Sequence, residues 1–169
     1  SNENPLKTIT ADRIKRSEGL LFKFLYEGHK ILTYLFTGKL IKFGNYSCLP
    51  KESAEKLVKE ACIWSSFSGS VTKIISDRVS VPSIKGKRYF DPSKMNFFNL
   101  LIHSLSIIAV FRGSVIVRSV LFLIFYLFFI SSNLSIITLF PVFIIFIFLF
   151  SIFRVSSREN IEALNNSLK

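Results

Sequence analysis

The sequence predicts an α+β chain that ends in a two-helix transmembrane hairpin. Three observations carry that reading. Charge and hydrocarbon separate along the chain: up to Arg112 there are 18 Lys+Arg against 9 Asp+Glu, and most of the chain beyond Arg112 is apolar. Helical and strand-like patterns alternate within the charged part. The apolar part divides at Ser131-Ser132-Asn133 into two stretches, each close to the roughly 20 residues that a bilayer crossing takes. With 50% hydrophobic residues, 19 Phe and a net charge of +11, the chain combines oiliness with a basic balance in a way that soluble domains rarely do. The combination points to an anionic membrane surface or a phosphate-bearing ligand. No nucleic-acid recognition motif is present.

Residues 11–37 read as one long amphipathic helix. Leu20, Leu21, Phe24, Leu25, Ile31, Leu32, Leu35 and Phe36 recur at helical spacing, while Lys23, Glu27 and Lys30 fall on the other face. Gly38 is a suitable stop. Such a helix either packs on a domain or lies in a bilayer interface. Ile41 to Leu49 reads as a short strand broken at Gly44-Asn45. Pro50 suits the first turn of a helix over "PKESAEKLVKEACIW", because its missing N–H has no partner to lose there. "SSFSGSVTKIIS" is a second short helix or turn. Val79 to Ile84 alternates apolar and polar, as a half-exposed strand does. The basic loop "GKRYFDPSKM" comes next.

Residues 96–112 form a different kind of segment. From Phe97 to Phe111, Asn99, His103 and Ser106 make a narrow polar stripe. The segment is short for a span and oily for a water-facing helix, so it reads as a juxtamembrane helix lying flat in the interface in preference to a buried core helix. Residues 113–153 are the hairpin, with spans over about 113–131 and 134–153. Arg118, near the start of the first span, can reach back to headgroups, and Pro141 can bend the second. Cations flank the outer ends, Arg154 and Arg158 among them, and are absent from the turn. The positive-inside rule then puts both termini in the cytoplasm. Residues 154–169 are a polar cytoplasmic tail.

No Walker loop, G-x-S-x-G, H-E-x-x-H or C-x-x-C occurs. Cys48 and Cys62 fit neither a zinc motif nor a redox pair and read as buried or half-buried thiols. His29 and His103 lack neighbours for a metal site. The sequence offers cations instead. Arg13 and Arg16 stand one helical turn apart if residues 11–37 are helical, and Ser17 adds a hydroxyl; an Arg fork matches phosphate oxygens. Lys85, Lys87, Arg88 and Lys94 precede the interfacial helix. These cations either hold a phosphate or touch acidic headgroups at about 1 kcal/mol each. The chain opens on Ser1-Asn2-Glu3-Asn4 without an initiator Met, which leads us to expect further sequence upstream.

The order of motifs resembles the C-terminal half of membrane-anchored family 2 glycosyltransferases, the polyprenyl-phosphate (dolichol-phosphate mannosyltransferase-like) group. "RIKRSEGLLFKFLYEGHKILTYLF" is similar to that family's Arg-x-x-Arg stretch and amphipathic helix. "FGNYSCLPKESAEKL" looks like its Gly-Asp-Phe-Arg-Leu strand and following helix. "SFSGSVTKIISDRVSVPSI" resembles its Phe-Leu-Arg-Gly segment and onward strand. "GKRYFDPSKMNFFNLLIHSLSIIAVF" resembles its Arg-x-x-Gly-x-Ser-Lys-Tyr loop with the juxtamembrane helix.

The resemblance implies that residues 1–95 are the C-terminal portion of a nucleotide-sugar-binding α/β catalytic domain. It implies an integral membrane protein of a bacterial inner membrane, serving cell-envelope glycan synthesis, with its catalytic part in the cytoplasm. Its partners would be a nucleotide-sugar donor, a lipid-phosphate or other membrane-associated acceptor, and membrane lipids; departures from the family pattern at Asn45, Ser47 and Pro92 leave the acceptor open. Arg13, Arg16 and Ser17 would contact the acceptor phosphate, and Arg88 and Lys94 would help hold donor or acceptor phosphates. Asn45 takes the position where many relatives have a catalytic Asp; it can orient an acceptor but cannot accept a proton at neutral pH. Ser47 stands in place of that motif's Arg, and Pro92 in place of the loop's Gly. A divalent metal, Mg or Mn, would be bound by an Asp-x-Asp motif in the other half of such an enzyme; this sequence contains none. The chain by itself is therefore expected to be inactive. The alternative reading is a non-enzymatic two-span membrane protein whose basic cytoplasmic domain binds acidic lipids or a partner protein.

Overall fold

The computed structural model describes residues 7–15, 20–84 and 97–168, with only the backbone for 13–15 and 20–23. The elements run β1 (Thr8–Lys15), α1 (Leu20–Thr37), β2 (Phe43–Cys48), α2 (Lys51–Val58), a 3₁₀ turn (Ala61–Trp64), α3 (Phe67–Ile74) and β3 (Arg78–Ile84). Four helices complete the chain: α4 (Phe97–Ala109), α5 (Arg112–Ile130), α6 (Ile136–Ser156) and α7 (Ile161–Ser167). The architecture is α+β, mostly helical, with a small mixed sheet.

Strand β1 corrects the helix expected from residue 11. The helical spacing is real from Leu20 onward, where α1 runs. Upstream, Thr8, Ile9 and Thr10 are β-branched and suit a pleated strand. Two neighbours then decide the matter. β1 is the central strand of the order β2-β1-β3, antiparallel to β2 and parallel to β3. Thr8 and Thr10 are buried and their hydroxyls are paired: Thr8 Oγ1 donates to Ser53 Oγ at 3.1 Å, and Thr10 Oγ1 lies 3.4 Å from Ser80 Oγ. Arg13 therefore belongs to a strand, and the helical-turn spacing invoked for Arg13 and Arg16 does not hold at Arg13.

Strand β2 is continuous where a break was expected. Thr10 faces Ser47 and Asp12 faces Phe43, so Gly44, Asn45 and Tyr46 all lie opposite Ala11. The Gly-Asn pair marks an irregular, bulged pairing rather than an end. Pro50 is the N-cap of α2, one position before the first turn, and its carbonyl accepts from the Ala54 N–H at 3.0 Å. The single helix expected over residues 50–64 divides, because Glu60 is extended and the chain restarts as the 3₁₀ turn. Helix α3 is capped by Ser66, whose side chain accepts from the Gly69 N–H at 3.2 Å. Cys62 is buried as expected, whereas Cys48 is exposed on β2.

Two apolar clusters organise the molecule. One gathers Ile41, Phe43, Leu57, Cys62, Val71 and Ile75 with Ile107, Val110 and Phe111. The other joins Ile108 and Ala109 to Val115 and Ile152, with Phe36, Leu105 and Phe148 packed against it. The C-terminal part of α4 serves both. Its N-terminal part is exposed at Phe97, Phe98, Leu101 and Ile102. Helices α5 and α6 are long and apolar enough to cross a membrane, with only 11% of the most apolar window of each buried. α6 opens with a capping box in which Ser135 and Thr138 satisfy each other's backbone N–H groups, and it continues through Pro141.

Helix α3 comes close to α4 at Gly69. A Cβ there would stand 3.0 Å from Val110 Cγ2 and 3.3 Å from the Ile107 carbonyl oxygen. The substitution Gly69→Val overpacks this contact and is expected to destabilise by about 1–3 kcal/mol. Thermal unfolding of the detergent-solubilised chain, followed by circular dichroism, would show a lowered midpoint; an unchanged midpoint would mean that α3 and α4 do not meet there.

Candidate functional site

The parallel pairing of β1 and β3 sets the geometry. Arg13 pairs with Ser83, and Lys15 pairs with Ile84. Ser83 Oγ also donates to the Asp12 carbonyl at 3.0 Å, tying the two strand ends together. Both strands finish at one end of the sheet. Arg16 follows Lys15 directly and Arg88 comes four residues after Ile84, so chain connectivity starts both cation-bearing segments from neighbouring points. Arg16, Ser17, Arg88 and Lys94 themselves lie outside the described residues, as does the Arg13 side chain.

Asn45 is exposed in the irregular part of β2, opposite Ala11. At about 3.3 Å per strand residue, Ala11 is roughly 13 Å back from the Lys15 end of the sheet. Asn45 thus shares the sheet with the two strand ends but is not adjacent to them. Ser47, two residues on, has a buried Oγ with no hydrogen-bond partner among the described residues.

Several other polar groups of this half make structural contacts. Arg78 lies over the Phe43 ring, 5.7 Å from its centroid, and donates to the Ile75 carbonyl at 3.2 Å. On α1, Thr33 Oγ1 is 3.2 Å from His29 Nδ1, and buried Thr37 donates back to the Thr33 carbonyl. Asn99 and His103 lie on the exposed face of α4. Among the described residues no three His, Cys, Asp or Glu side chains come together. The described residues therefore offer no cradle for a divalent metal.

Two arrangements escaped the sequence reading. The first is a polar clasp across the base of the hairpin. Arg112 Nη1 donates to Ser156 Oγ at 2.9 Å and lies 3.7 Å from Glu159 Oε2, while Ser65 Oγ donates to Glu159 Oε1 at 2.9 Å. The Glu159 side chain is only 10% exposed. The clasp joins the start of α5, the end of α6 and the 3₁₀ turn. The second is Arg118, whose Nη1 donates to the Leu35 carbonyl at 3.1 Å at the end of α1. The clasp becomes legible only once the hairpin is folded about Ser131–Asn133, which sets Arg112 opposite the end of α6, and the Arg118 contact only once α1 packs on α5.

No protein-family model, curated protein or solved structure matches this chain.

The clasp gives a stability test. Glu159→Ala leaves the Ser65 hydroxyl and the Arg112 guanidinium without their shared acceptor, at an expected cost of about 1–3 kcal/mol. Glu159→Gln keeps an oxygen for Ser65 and should lose less. Equal thermal midpoints for Glu159→Ala and the parent chain would show that the clasp carries no stability.

Proposed function

We propose that this chain is the membrane-proximal part of a glycosyltransferase that moves a sugar from a nucleotide donor onto a lipid-linked phosphate. The observation that carries the reading is the β1/β3 register. Lys15 and Ile84 are partners, and each leads into one of the two cation-bearing segments that the family resemblance assigns to phosphate. The second segment leads in turn to α4 and the apolar hairpin, so the phosphate-binding groups would work beside the bilayer. Helices α5 and α6 would be the membrane anchor, and the outward apolar residues of α1 and α4, Phe24, Ile31, Phe98 and Leu101 among them, would lie in the interface.

In this reading an acceptor phosphate oxygen attacks the anomeric carbon in line. The new bond from that oxygen to carbon forms as the bond from carbon to the nucleotide diphosphate breaks, with inversion. Arg13, Arg16, Arg88 and Lys94 neutralise charge on the attacking and departing phosphates, and such electrostatic placement is commonly the largest catalytic contribution. Asn45 fits this acceptor better than it would fit a sugar hydroxyl. The second ionisation of a phosphate monoester lies near about pH 6, so its attacking oxygen carries no proton at neutral pH. A hydrogen-bonding amide that orients the acceptor then suffices where a hydroxyl acceptor would need a base. The donor-side metal would belong to sequence bearing an Asp-x-Asp, which this chain lacks.

Two measurements test the reading, both on the product of the complete reading frame in membranes supplied with nucleotide sugar and polyprenyl phosphate. Arg88→Ala should lower kcat by about 10²-fold or more, the scale of losing one positioned charge-stabilising group, with membrane insertion unchanged. Asn45→Asp should stay active without acquiring a new pH dependence, whereas Asn45→Ala should raise KM for the acceptor. Full turnover in Arg88→Ala would remove the phosphate role assigned to that loop, whereas no sugar transfer by the parent protein would remove the enzyme reading and favour a non-enzymatic, acidic-lipid-binding anchor.

A further inference from the structure

Arg118 occupies an unusual position. Helix α1 ends with Gly38 at φ 71°, and the Gly38 N–H bonds to the Tyr34 carbonyl at 2.8 Å. This single-bond ending leaves the next carbonyl, that of Leu35, without a backbone donor. Arg118, from α5, supplies the missing donor. Gly38 makes room for it: a Cβ at this residue would stand 2.6 Å from Arg118 Nη2 and 3.3 Å from Arg118 Cζ. The guanidinium is thus held against a glycine at the negative end of a helix, and it remains exposed. A guanidinium carries five N–H donors, and among the described residues no carboxylate pairs with Arg118. Lys39, exposed, follows Gly38 directly.

The hairpin register gives Arg118 a depth. The contact from Arg112 to Ser156 ties the outer ends of α5 and α6 at one level. The Tyr126 hydroxyl donates to the Thr138 carbonyl at 2.8 Å and ties them near the turn. At 1.5 Å per residue, Arg118 lies about 9 Å further along α5 toward the turn than Arg112 does. From Arg118 to Ile130 the helix covers only about 18 Å, well short of the roughly 30 Å hydrocarbon core. A hairpin that crosses the full core therefore carries Arg118 about 12 Å inside the near boundary, a depth that a headgroup phosphate reaches where the bilayer thins locally around the cation. An unpaired cation there is costly, and the neutral Leu35 carbonyl does not cancel its charge.

We propose that Arg118, seated on the Leu35 carbonyl beneath Gly38 and flanked by Lys39, is a binding site for the phosphate of an acidic membrane phospholipid. The inference rests on the membrane reading of α5 and α6, and not on the glycosyl-transfer chemistry. The fixed guanidinium presents its remaining donors to phosphate oxygens as a preformed fork. The lipid completes the charge pairing and fastens α1 against α5.

The test uses the full chain in vesicles of phosphatidylcholine with a minor fraction of phosphatidylglycerol. Retention of each lipid by the purified protein is read by native mass spectrometry. The parent chain should hold phosphatidylglycerol several-fold over phosphatidylcholine. Arg118→Gln should abolish that preference. Gly38→Asn should abolish it as well, because Asn tolerates the positive φ while its Cβ displaces a guanidinium that is still present. Arg154→Gln, which removes a cation elsewhere on the hairpin, should retain it. A preference that survives Arg118→Gln, or that Arg154→Gln lowers equally, would reduce the site to a diffuse cationic belt and overturn the proposal. Displacement of the lipid by millimolar inorganic phosphate would assign the site to a water-borne anion, which also overturns it. Alkaline extraction of the same vesicles separates the two layers of argument. A parent chain that washes off removes the membrane reading, and this site with it; an inserted chain without lipid preference removes the site alone.

Discussion

The last turns of α4 hold the molecule together. Ile107, Val110 and Phe111 point into the cluster built by β2, α2, the 3₁₀ turn and α3, whereas Ile108 and Ala109 point into the cluster shared with α5 and α6. A residue and its third and fourth successors share one helix face, so one short stretch can serve two opposed surfaces. Fully burying a large aliphatic or aromatic side chain is worth about 1.5–3 kcal/mol, and four such side chains are engaged here. The chain then turns at once: the Phe111 N–H bonds to the Ile108 carbonyl at 2.9 Å and α5 begins at Arg112. With no slack between α4 and α5, the orientation of the hairpin is fixed by packing that the charged half of the chain supplies.

Backbone satisfaction explains why the hairpin ends look as they do. A helix leaves its first N–H and last C=O groups without internal partners, and an apolar setting offers no water to take them. At the turn, Ser135 and Thr138 answer for α6. At the base, the Ser157 hydroxyl donates to the Arg154 carbonyl at 2.7 Å and the Arg158 N–H to the Val155 carbonyl at 3.2 Å. At the end of α1, Arg118 answers for Leu35. The polar side chains of this nominally greasy half are therefore concentrated where helices stop.

The helical half was the most legible part of the sequence. Long uncharged runs bounded by Ser131–Asn133 and Arg154 leave few alternatives, and the observed helices begin and end within a few residues of the expected spans. Helix α1 and strand β3 were legible from period alone. β1 was not, because "TITADRIK" has no clean alternation; it is a strand because β2 and β3 flank it, a long-range fact that local spacing does not carry. The candidate site divides the same way. Cation identities are plain in sequence, but that Arg13 sits on a strand paired to β3, rather than on a helix beside Arg16, needed the sheet. The expected flat placement of residues 97–111 in an interface met a similar limit: the polar stripe is visible in sequence, while the burial of its second half depends on partners far away in the chain.

That sheet has a further consequence for how the two halves communicate. β1 and β3 end side by side, and the helices that follow their cation-bearing segments, α1 and α4, both reach the cluster around Val115 and Ile152, through Phe36 for α1 and Leu105, Ile108 and Ala109 for α4. In the chain, each segment runs from a strand of the sheet to a helix that packs on the hairpin. A change in hairpin packing shifts the far anchors of both segments together, while the strand ends stay registered by Lys15 and Ile84. The packing of Phe36 on Phe148, with ring centroids 4.5 Å apart, ties α1 directly to α6, so the helix after the first segment is sensitive to the second apolar helix as well as the first.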